Sequence, residues 1–427
     1  MVENVAEDVL VLIFEEVVGG PLTQWPDAVY DHNKAAAPFR LSAVCRQWRA
    51  LARDTAVLWT YFGFPESAGL YPRQSERLQA QLSLSKNAPI DAIFCLGTPY
   101  NFYGAEIVEQ ARQCQEVLEA IGQLGARWRN VRFRLPAQAT EHLRPALMGG
   151  TPLLEAFSAV TNATWHFFPS APRLDRLYTE SQHIESAYRD NVVHYPSMTS
   201  LAVISDTSDR AALTHSLCVH NYQNLTEVCI MDDLHSPPAE PIQLPLLRTL
   251  ALDDARYLPH ITAERLQRLV LNASSNVQFH EHLGRYAQVT ELVLYGSITV
   301  DSIGSMYPLN HVKSLSFDIP SGVRTCFKRY PAYNIFSAVF TSLNIAEQGP
   351  VFPDLERIHF VHQRDDKDSV CHYPQDLVDF VRGRNSGLIS TARIVEVIGA
   401  GPPEEAGPES VIAQKFAQLS LALRQDN

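Results

Sequence analysis

The chain has 427 residues, of which 46% are hydrophobic and 19% charged, and its formal net charge is −12. This length predicts two or three domains, or one small domain followed by a long repeat array. The hydrophobic fraction excludes wholesale disorder. With 35 Lys and Arg against 47 Asp and Glu, the chain has no basic field to neutralise phosphates, so we expect no nucleic-acid partner.

Two further features bear on the compartment. No stretch reaches the ~18–20 consecutive apolar residues of a membrane-spanning helix, and residues 1–8 are acidic where a secretion signal needs positive charge. The cysteines form no Cys-x-x-Cys pair, which favours buried free thiols in a reducing compartment. They are Cys45, Cys95, Cys114, Cys218, Cys229, Cys326 and Cys371. We therefore expect a cytoplasmic and/or nuclear protein without a membrane partner.

Residues 5–18 carry the pattern of an amphipathic helix with a broad apolar face. The apolar residues form two rows that step by four, one through positions 9, 13 and 17 and the other through 10, 14 and 18. Asn4 is the predicted N-cap. Gly19-Gly20-Pro21 is predicted to end the helix.

A loop over residues 19–38 leads to a second predicted helix, which runs from Phe39 to Arg53. Its apolar stripe comprises Leu41, Val44, Cys45, Trp48 and Leu51. Asp54-Thr55 interrupts the pattern, and the Val-Leu-Trp run at 57–59 adds a third apolar patch. Because so few helical residues cannot bury this much apolar surface by themselves, part of it is predicted to face a partner helix or the rest of the chain.

These segments resemble the F-box family. Residues 5–14 are similar to its opening helix. Residues 39–52 (Phe-x-Leu-Ser-x-Val-Cys-Arg-Gln-Trp-Arg-x-Leu-Ala), followed by Leu58-Trp59, match its more specific second half. The resemblance covers residues 4–62, with two departures. Ala6 stands where the family usually has proline, and the 19–38 loop is longer than the common form.

The resemblance implies a role without catalysis. F-box proteins dock onto the adaptor subunit of an SCF-type cullin–RING ubiquitin ligase, and through it onto the cullin and RING subunits. Their C-terminal repeats hold a protein substrate near the ubiquitin-loaded conjugating enzyme, which raises its local concentration. By motif position, the residues expected at the adaptor interface, or supporting it, are Val5, Leu10, Ile13, Phe14, Leu41, Val44, Cys45, Trp48, Leu58 and Trp59. Trp48 and Trp59 are expected to matter most, since large buried aromatics dominate interface energetics.

From residue 174 onward a weak repeat of the form φ-x-x-φ-x-φ recurs, where φ is an apolar residue. The central φ residues are Leu177, Leu201, Val228, Leu250, Leu269, Leu292, Leu315 and Ile358. Their spacings are 24, 27, 22, 19, 23, 23 and 43 residues, and steps of ~20–29 are typical of leucine-rich repeats. The last step indicates an insertion or a degenerate repeat between residues 320 and 350.

The predicted fold class is α/β, with a small N-terminal helical F-box followed by an irregular leucine-rich-repeat solenoid in which each repeat contributes one short strand. A β-propeller is the competing architecture, but its ~40–45-residue blades need several strands each. We place the F-box at residues 4–62, connecting helices and the first strands at 63–135, and the solenoid at 136–400. Residues 401–427 are predicted to form a linker and a helix that caps the last repeat or, alternatively, binds a partner.

In a solenoid of this kind, the strand positions between the buried φ residues face the concave side and are candidates for substrate binding. Their mixed charge favours a protein ligand over an anion, because the arginines are separated rather than clustered. The candidates are Asp253, Arg268, Asn272, Glu291, Tyr295, Asp318, Arg357 and His359. The alternative is that these are ordinary solvated strand residues.

No sequence motif for catalysis, phosphate binding or metal binding occurs. His280 and His282 would point ~200° apart on a helix, which favours a solvated face over a metal site. Residues 359–372 offer a second His and Cys group without a suitably spaced fourth ligand. We therefore expect no enzyme, cofactor or metal. The rival hypotheses are a non-catalytic repeat scaffold without a ligase role, and an enzyme with a site assembled from distant residues.

Overall fold

The structure is a computed structural model that describes residues 6–19, 30–64, 72–96, 112, 115–165, 170–184, 195–205, 218, 220–221, 223–232, 241–272, 280–295, 306–317, 351–361 and 396–400. The chain divides into two compact units, Met1–Asn224 and Leu225–Asn427. Each unit is mixed α/β and contains parallel strands that pair in chain order.

The described part of the first unit contains helices followed by strands and further helices. The helices are α1 (Glu7–Val18), α2 (His32–Val44), α3 (Arg46–Asp54), α4 (Pro72–Leu84), α5 (Gln115–Gly122), α6 (Ala137–Thr140) and α7 (Arg144–Gly149). Short 3-10 helices cover Ala56–Trp59, Gly125–Arg127 and Glu141–Leu143. The strands are β1 (Tyr61–Phe64), β2 (Ile90–Cys95), β3 (Trp128–Arg134), β4 (Ala156–Trp165), β5 (Arg176–Ile184) and β6 (Ser200–Ser205).

The described part of the second unit consists mainly of strands. They are β7 (Glu227–Asp232), β8 (Ile242–Gln243), β9 (Thr249–Leu252), β10 (Ile261–Thr262), β11 (Arg268–Asn272), β12 (Glu291–Tyr295), β13 (Ser314–Phe317), β14 (Arg357–Val361) and β15 (Glu396–Ala400). One short helix, α8 (His280–Leu283), and 3-10 helices at Ala255–His260 and Gly284–Tyr286 connect them. Strands β8 and β10 pair only with each other, beside the main row.

Helix α1 confirms the first predicted helix, but its predicted N-cap is wrong. Ala6 occupies the N-cap position, with φ −59° and ψ 141° and no side-chain hydrogen bond, while Asn4 lies outside the described residues. At the other end, Gly19 adopts a positive φ of 78° and donates its N–H to the carbonyls of Glu15 and Glu16. Glycine is favoured there because it carries no Cβ to clash in this conformation.

The second predicted helix starts too late, since α2 already begins at His32. The Asp31 carboxylate caps it by accepting hydrogen bonds from the backbone N–H groups of Asn33 and Lys34, at 2.8 and 3.2 Å. An alanine run at 35–37 then favours the helix. Pro38 lies inside α2. The Asp31 cap and the alanine run therefore outweigh the tendency of Pro38 to interrupt a helix, on which the predicted loop was based.

The predicted single helix from Phe39 to Arg53 is also wrong, because the chain breaks at Cys45. This residue is extended, with φ −153° and ψ 175°, and its sulfur accepts the N–H of Trp48 at 3.4 Å to cap α3. Across the break, the Arg49 side chain donates to the carbonyl of Ser42 at 2.9 Å, which satisfies a last-turn acceptor of α2. The predicted end at Asp54-Thr55 is confirmed.

Cys45 corrects a further expectation, since its side chain is exposed rather than buried. Cys95 and Cys218 are buried and Cys229 is partly buried, as predicted for free thiols. Cys114, Cys326 and Cys371 lie outside the described residues.

The repeat pattern correctly predicts strands β5, β6, β7, β9, β11, β12, β13 and β14, whereas the two-residue strands β8 and β10 fall outside the pattern. In the second unit the central residues Leu250, Leu269, Leu292, Leu315 and Ile358 share one register row and are buried. Strand β13 pairs directly with β14, so the 43-residue step adds no strand between them. The predicted insertion at 320–350 and the C-terminal linker and helix lie outside the described residues.

Candidate partner-binding surfaces

Helix α1 buries one of its two apolar rows and exposes the other. Leu10, Phe14 and Val18 are at most 6% exposed and belong to a core shared with α2, α3 and the following 3-10 helix. The two rows are separated by about 100° around the helix axis. When one row packs against the core, the other row therefore remains at the surface.

The exposed row consists of Val9, Ile13 and Val17, with Leu12 beside it; we call these four residues the α1 apolar row. Their exposed fractions are 46%, 45%, 55% and 65% respectively. Val44, at the end of α2, is 61% exposed. Single exposed apolar residues are normal, whereas a contiguous group of them marks a contact surface.

The tryptophans belong to the core of this helical segment rather than to its surface. Trp59 is buried and donates its indole N–H to the carbonyl of Ala52 at 2.6 Å. Its ring meets Phe39 edge to face at 5.1 Å. Trp48 is half-buried and meets Phe14 in the same way. Both tryptophans therefore support the helices that carry the α1 apolar row.

The structure thus divides the ten residues that motif position assigned to an adaptor interface or its support. The exposed ones are Ile13, Val44 and Cys45, and the buried ones are Leu10, Phe14, Leu41, Leu58 and Trp59. Trp48 is half-buried, and Val5 lies outside the described residues. The exposed large apolar residues of α1 that motif position did not single out are Val9, Leu12 and Val17.

The helical segment is joined to the first strand by polar and aromatic contacts. The hydroxyl of Tyr61 in β1 accepts the backbone N–H of Asp31 at 2.8 Å, and the Tyr61 ring stacks on Tyr30 with centroids 5.7 Å apart. Burial raises the pKa of the Tyr61 hydroxyl. A Cβ on Gly63 would lie 2.3 Å from the carbonyl oxygen of Ile93 and 2.5 Å from the Tyr30 ring, so only glycine fits at this position.

Helix α4 also contacts this segment. Arg77 donates to the carbonyl of Ala35 at 2.5 Å, and its guanidinium lies 4.6 Å from the centroid of the Phe39 ring. Gln81 donates to the carbonyl of Tyr61 at 3.3 Å. These contacts fix α2 against the strands of the first unit.

A cleft of about 430 Å³ opens where α1 ends beside α2. Its apolar wall includes Val17, Ala37, Leu41 and Val44. Its polar lining consists of Asp31, Asn33, Lys34 and Arg40. Val17 belongs to both the α1 apolar row and the cleft, so the two features form one continuous surface.

On the second unit, the strand face brings together most of the predicted substrate-binding residues. Arg268 and Glu291 start adjacent strands in matched register, are exposed and approach to 3.9 Å. Two strands on, Arg357 shares their row and is half-buried, as is His359 two residues further along the same strand. Asp318 lies outside the described residues.

The remaining predicted residues form a polar network at the carboxyl ends of β9, β11 and β12. The Asn272 amide donates to a carboxylate oxygen of Asp253 at 2.5 Å, and the Tyr295 hydroxyl lies 3.2 Å from the same oxygen and 3.2 Å from the Leu252 carbonyl. Asn272 and Tyr295 are buried while Asp253 is half-buried. Asn272 and Tyr295 therefore hold the Asp253 carboxylate in place.

On the first unit, one strand face carries a group of arginines that was not predicted from the sequence. Arg132 and Arg134 alternate along β3 onto one face and are 4% and 2% exposed. The pairing of β3 with β4 and β4 with β5 puts Arg176 on that face as well. The expectation of separated arginines is thus wrong for this face. The period-two spacing of Arg132 and Arg134 is the sequence signal that could have revealed the group.

Side chains of β3 neutralise a buried carboxylate on the neighbouring strand β2. Arg129 donates to both carboxylate oxygens of Asp91, at 2.9 and 2.7 Å, and Asn130 donates to the same carboxylate at 2.8 Å. Asp91 is 2% exposed. The hydrogen bonds from Arg129 and Asn130 compensate the Asp91 carboxylate for the loss of its hydration on burial.

Metal-ligating and nucleophilic side chains also occur elsewhere in the described residues. Within the described ranges, no three His, Cys, Asp or Glu side chains are arranged to hold a metal ion. Burial raises the pKa of the Cys218 and Cys229 thiols to about 12, so both stay protonated and weakly nucleophilic at neutral pH. Every helix in the described part of the chain is too short or too polar to cross a bilayer.

No known family model matches this chain, and no match was found among curated proteins. The functional proposal therefore depends on the chain's own residues and contacts.

Proposed function

We propose that this chain is the substrate-recognition subunit of an SCF-type cullin–RING ubiquitin ligase. Residues 4–62 act as an F-box that binds the adaptor subunit, and the strand repeats form an irregular leucine-rich-repeat solenoid that holds a protein substrate. The chain itself catalyses nothing. It works in the cytoplasm and/or nucleus, where it keeps a substrate close to the ubiquitin-loaded conjugating enzyme.

The α1 apolar row is the observation that supports this proposal most strongly. Eight large apolar side chains are exposed within the described residues, and five of them are Val9, Leu12, Ile13, Val17 and Val44. They lie on the segment whose sequence resembles an F-box. A stable helix that presents apolar side chains at i, i+4 and i+8 to solvent is complementary to the apolar face of a partner protein.

The strand arrangement supports the second half of the proposal. Within each unit the strands of the main row pair in parallel and follow one another in chain order, and the repeat steps of 19–27 residues leave room for one strand and its return connection. Such stacked repeats bury a continuous apolar row and present an extended strand face. On the second unit that face carries charges of both signs, Arg268 and Glu291 among them, which favours a protein ligand.

Co-purification with the ligase adaptor tests the proposal. The full chain is compared with a Leu12→Asp/Ile13→Asp variant, which puts charge into the α1 apolar row without touching the core. Met148→Asp is the matched control, because Met148 is 46% exposed but lies on α7. We expect the wild type and the control to bind stoichiometrically and the double variant to lose binding.

Failure of the intact, folded wild type to bind the adaptor would overturn the proposal. The helical segment would then be a cap on the strand repeats, and the chain a non-catalytic repeat scaffold. Equal binding by the double variant would remove the α1 apolar row from the interface.

A further inference from the structure

The strand face of the first unit that carries Arg132 and Arg134 also carries a buried hydroxyl. Ser158 on β4 pairs in parallel with Arg132 on β3, so their side chains leave the sheet on the same face. Ser158 is 0% exposed, and its Oγ makes no hydrogen bond in the part of the chain that the structure describes. Because a buried hydroxyl without a hydrogen bond is costly and rare, this one indicates a position where a ligand oxygen can bind.

The arginines supply further hydrogen-bond donors to this face. Arg132, Arg134 and Arg176 each interact with other groups of the chain, but a guanidinium has five N–H donors. The Nε groups of Arg132 and Arg134 are buried and make no hydrogen bond within the described residues. Arg132 and Arg134 are 4% and 2% exposed, whereas the Arg176 side chain is 31% exposed. The face is therefore enclosed at β3 and accessible at β5.

Two carboxylates near this face are engaged with other groups. The Asp91 carboxylate binds the Arg129 guanidinium on the neighbouring strand. The Asp175 carboxylate lies 3.8 Å from Nε of Arg176 and accepts the Thr199 hydroxyl at 2.5 Å. The face thus combines guanidinium donors with a hydroxyl donor, and such a set is complementary to the oxygen atoms of an anion.

We propose that this face of the first unit binds a small phosphorylated molecule. The donors to its phosphate oxygens are Arg132, Arg134, Ser158 and Arg176. A phosphate group suits them because it carries up to two negative charges and several acceptor oxygens, and guanidinium groups bind it in bidentate geometry. A carboxylate has only two oxygens, too few for donors that come from three strands. The inference goes beyond the proposed function and does not depend on adaptor binding.

The burial of the donors favours a compact ligand over a peptide. Arg132, Arg134 and Ser158 are at most 4% exposed, so a ligand must be enclosed to reach them, and an extended main chain stays at the surface. Neighbouring strands are ~4.8 Å apart, which puts the backbones of β3 and β5 ~10 Å apart. Long arginine side chains can close this span around a phosphate or diphosphate group.

Thermal unfolding of the full chain in inorganic phosphate or pyrophosphate, at matched ionic strength, tests this site. A ligand that binds the folded protein raises the unfolding temperature in a saturable way. Stabilisation by exclusion of phosphate salts from the protein surface does not saturate and should be the same in all variants. The measured quantity is the half-saturating concentration of each probe.

Two variants are each compared with a matched control. Ser158→Ala is compared with Thr179→Val, because the Thr179 hydroxyl is also buried without a hydrogen bond in the described part of the chain but lies on the opposite face of the sheet. Arg134→Lys is compared with Arg173→Lys, at an exposed arginine in the turn before β5. We expect Ser158→Ala and Arg134→Lys to raise the half-saturating pyrophosphate concentration about tenfold, and each control to change it less than about twofold.

Unfolding without a ligand separates a binding role from a structural one. Because the Ser158 hydroxyl makes no hydrogen bond within the described residues, Ser158→Ala should leave the unfolding temperature of the ligand-free chain unchanged or raise it. Circular dichroism establishes that each variant is folded. If Arg134→Lys does not fold, Arg176→Ala decides the test, since Arg176 is only half-buried; it should also raise the half-saturating concentration about tenfold.

Three results would overturn the inference. The first is a wild-type chain whose unfolding temperature does not rise saturably with either probe. The second is the same half-saturating concentration for Ser158→Ala, Arg176→Ala and the two controls. The third is tighter binding of a short phosphoserine peptide than of pyrophosphate, without binding of the unphosphorylated peptide, which would assign the face to a modified protein.

Discussion

The aromatic rings of Phe14 and Trp48 meet edge to face, with their centroids 4.9 Å apart. Phe14 lies in the buried row of α1 and Trp48 in the first turn of α3, so this contact joins two helices across their common core. Aromatic pairs of this kind contribute about 0.5–1.5 kcal/mol beyond the burial of area. The contact orients α1 so that its second apolar row faces solvent.

Trp48→Ala should lower the free energy of unfolding by about 2–3 kcal/mol, somewhat less than for a fully buried aromatic because Trp48 is half-buried. Denaturant unfolding of the full chain measures this change. Leu12→Ala is the control, since Leu12 is 65% exposed and its truncation should cost less than about 0.5 kcal/mol. Equal effects of the two substitutions would contradict the assignment of Trp48 to the core.

Ala6→Pro should stabilise the protein by about 0.4–1 kcal/mol. The backbone of Ala6 already has φ −59°, which matches the φ that a proline ring imposes, so the substitution restricts the unfolded chain without straining the folded one. Thermal unfolding measures the change. A lower midpoint for Ala6→Pro than for wild type would show that the entry to α1 is misassigned.

Gly63→Ala should destabilise the junction between the helical segment and β1. The new Cβ would lie 2.3 Å from the Ile93 carbonyl oxygen, and backbone must shift to relieve it at a cost of about 1–3 kcal/mol. Chemical unfolding detects the loss. Gly149→Ala is the matched control, since a Cβ there meets nothing within 4 Å; similar costs at both positions would argue against the close packing of Gly63.

Alkylation should distinguish the cysteines. Cys45 is exposed, whereas Cys218 is buried and burial raises the pKa of its thiol to about 12. Brief treatment with iodoacetamide at pH 8, read by mass spectrometry, should label Cys45 first and leave Cys218 largely unmodified until the protein unfolds. Labelling of Cys218 as fast as Cys45 in the native protein would contradict the packing of the first unit.

Features that depend on local periodicity could be predicted from the sequence. The four-residue steps of Leu10, Phe14 and Val18 gave the helix and its apolar face, and the repeat spacing gave the strands, because both depend on local periodicity. Which of the two α1 rows is buried depends on packing against Trp48 and Trp59, which no local pattern encodes.

Other features required the three-dimensional register. The early start of α2 depends on the Asp31 cap, which outweighs the loop signal of Pro38. The shared face of Arg132 and Arg176 depends on two successive strand pairings. The burial of Asn272 and Tyr295 depends on their joint contact with Asp253, although all three occupy the strand face predicted from the repeat.

Calorimetric titration of the ligase adaptor into the full chain measures the proposed interaction itself. We expect a one-to-one complex with a negative heat-capacity change, because the α1 apolar row leaves water on binding. The Leu12→Asp/Ile13→Asp variant should give no measurable complex, and Met148→Asp should match the wild type. If the folded wild-type chain shows no binding to the adaptor by heat or by co-elution, it is not an adaptor-binding subunit.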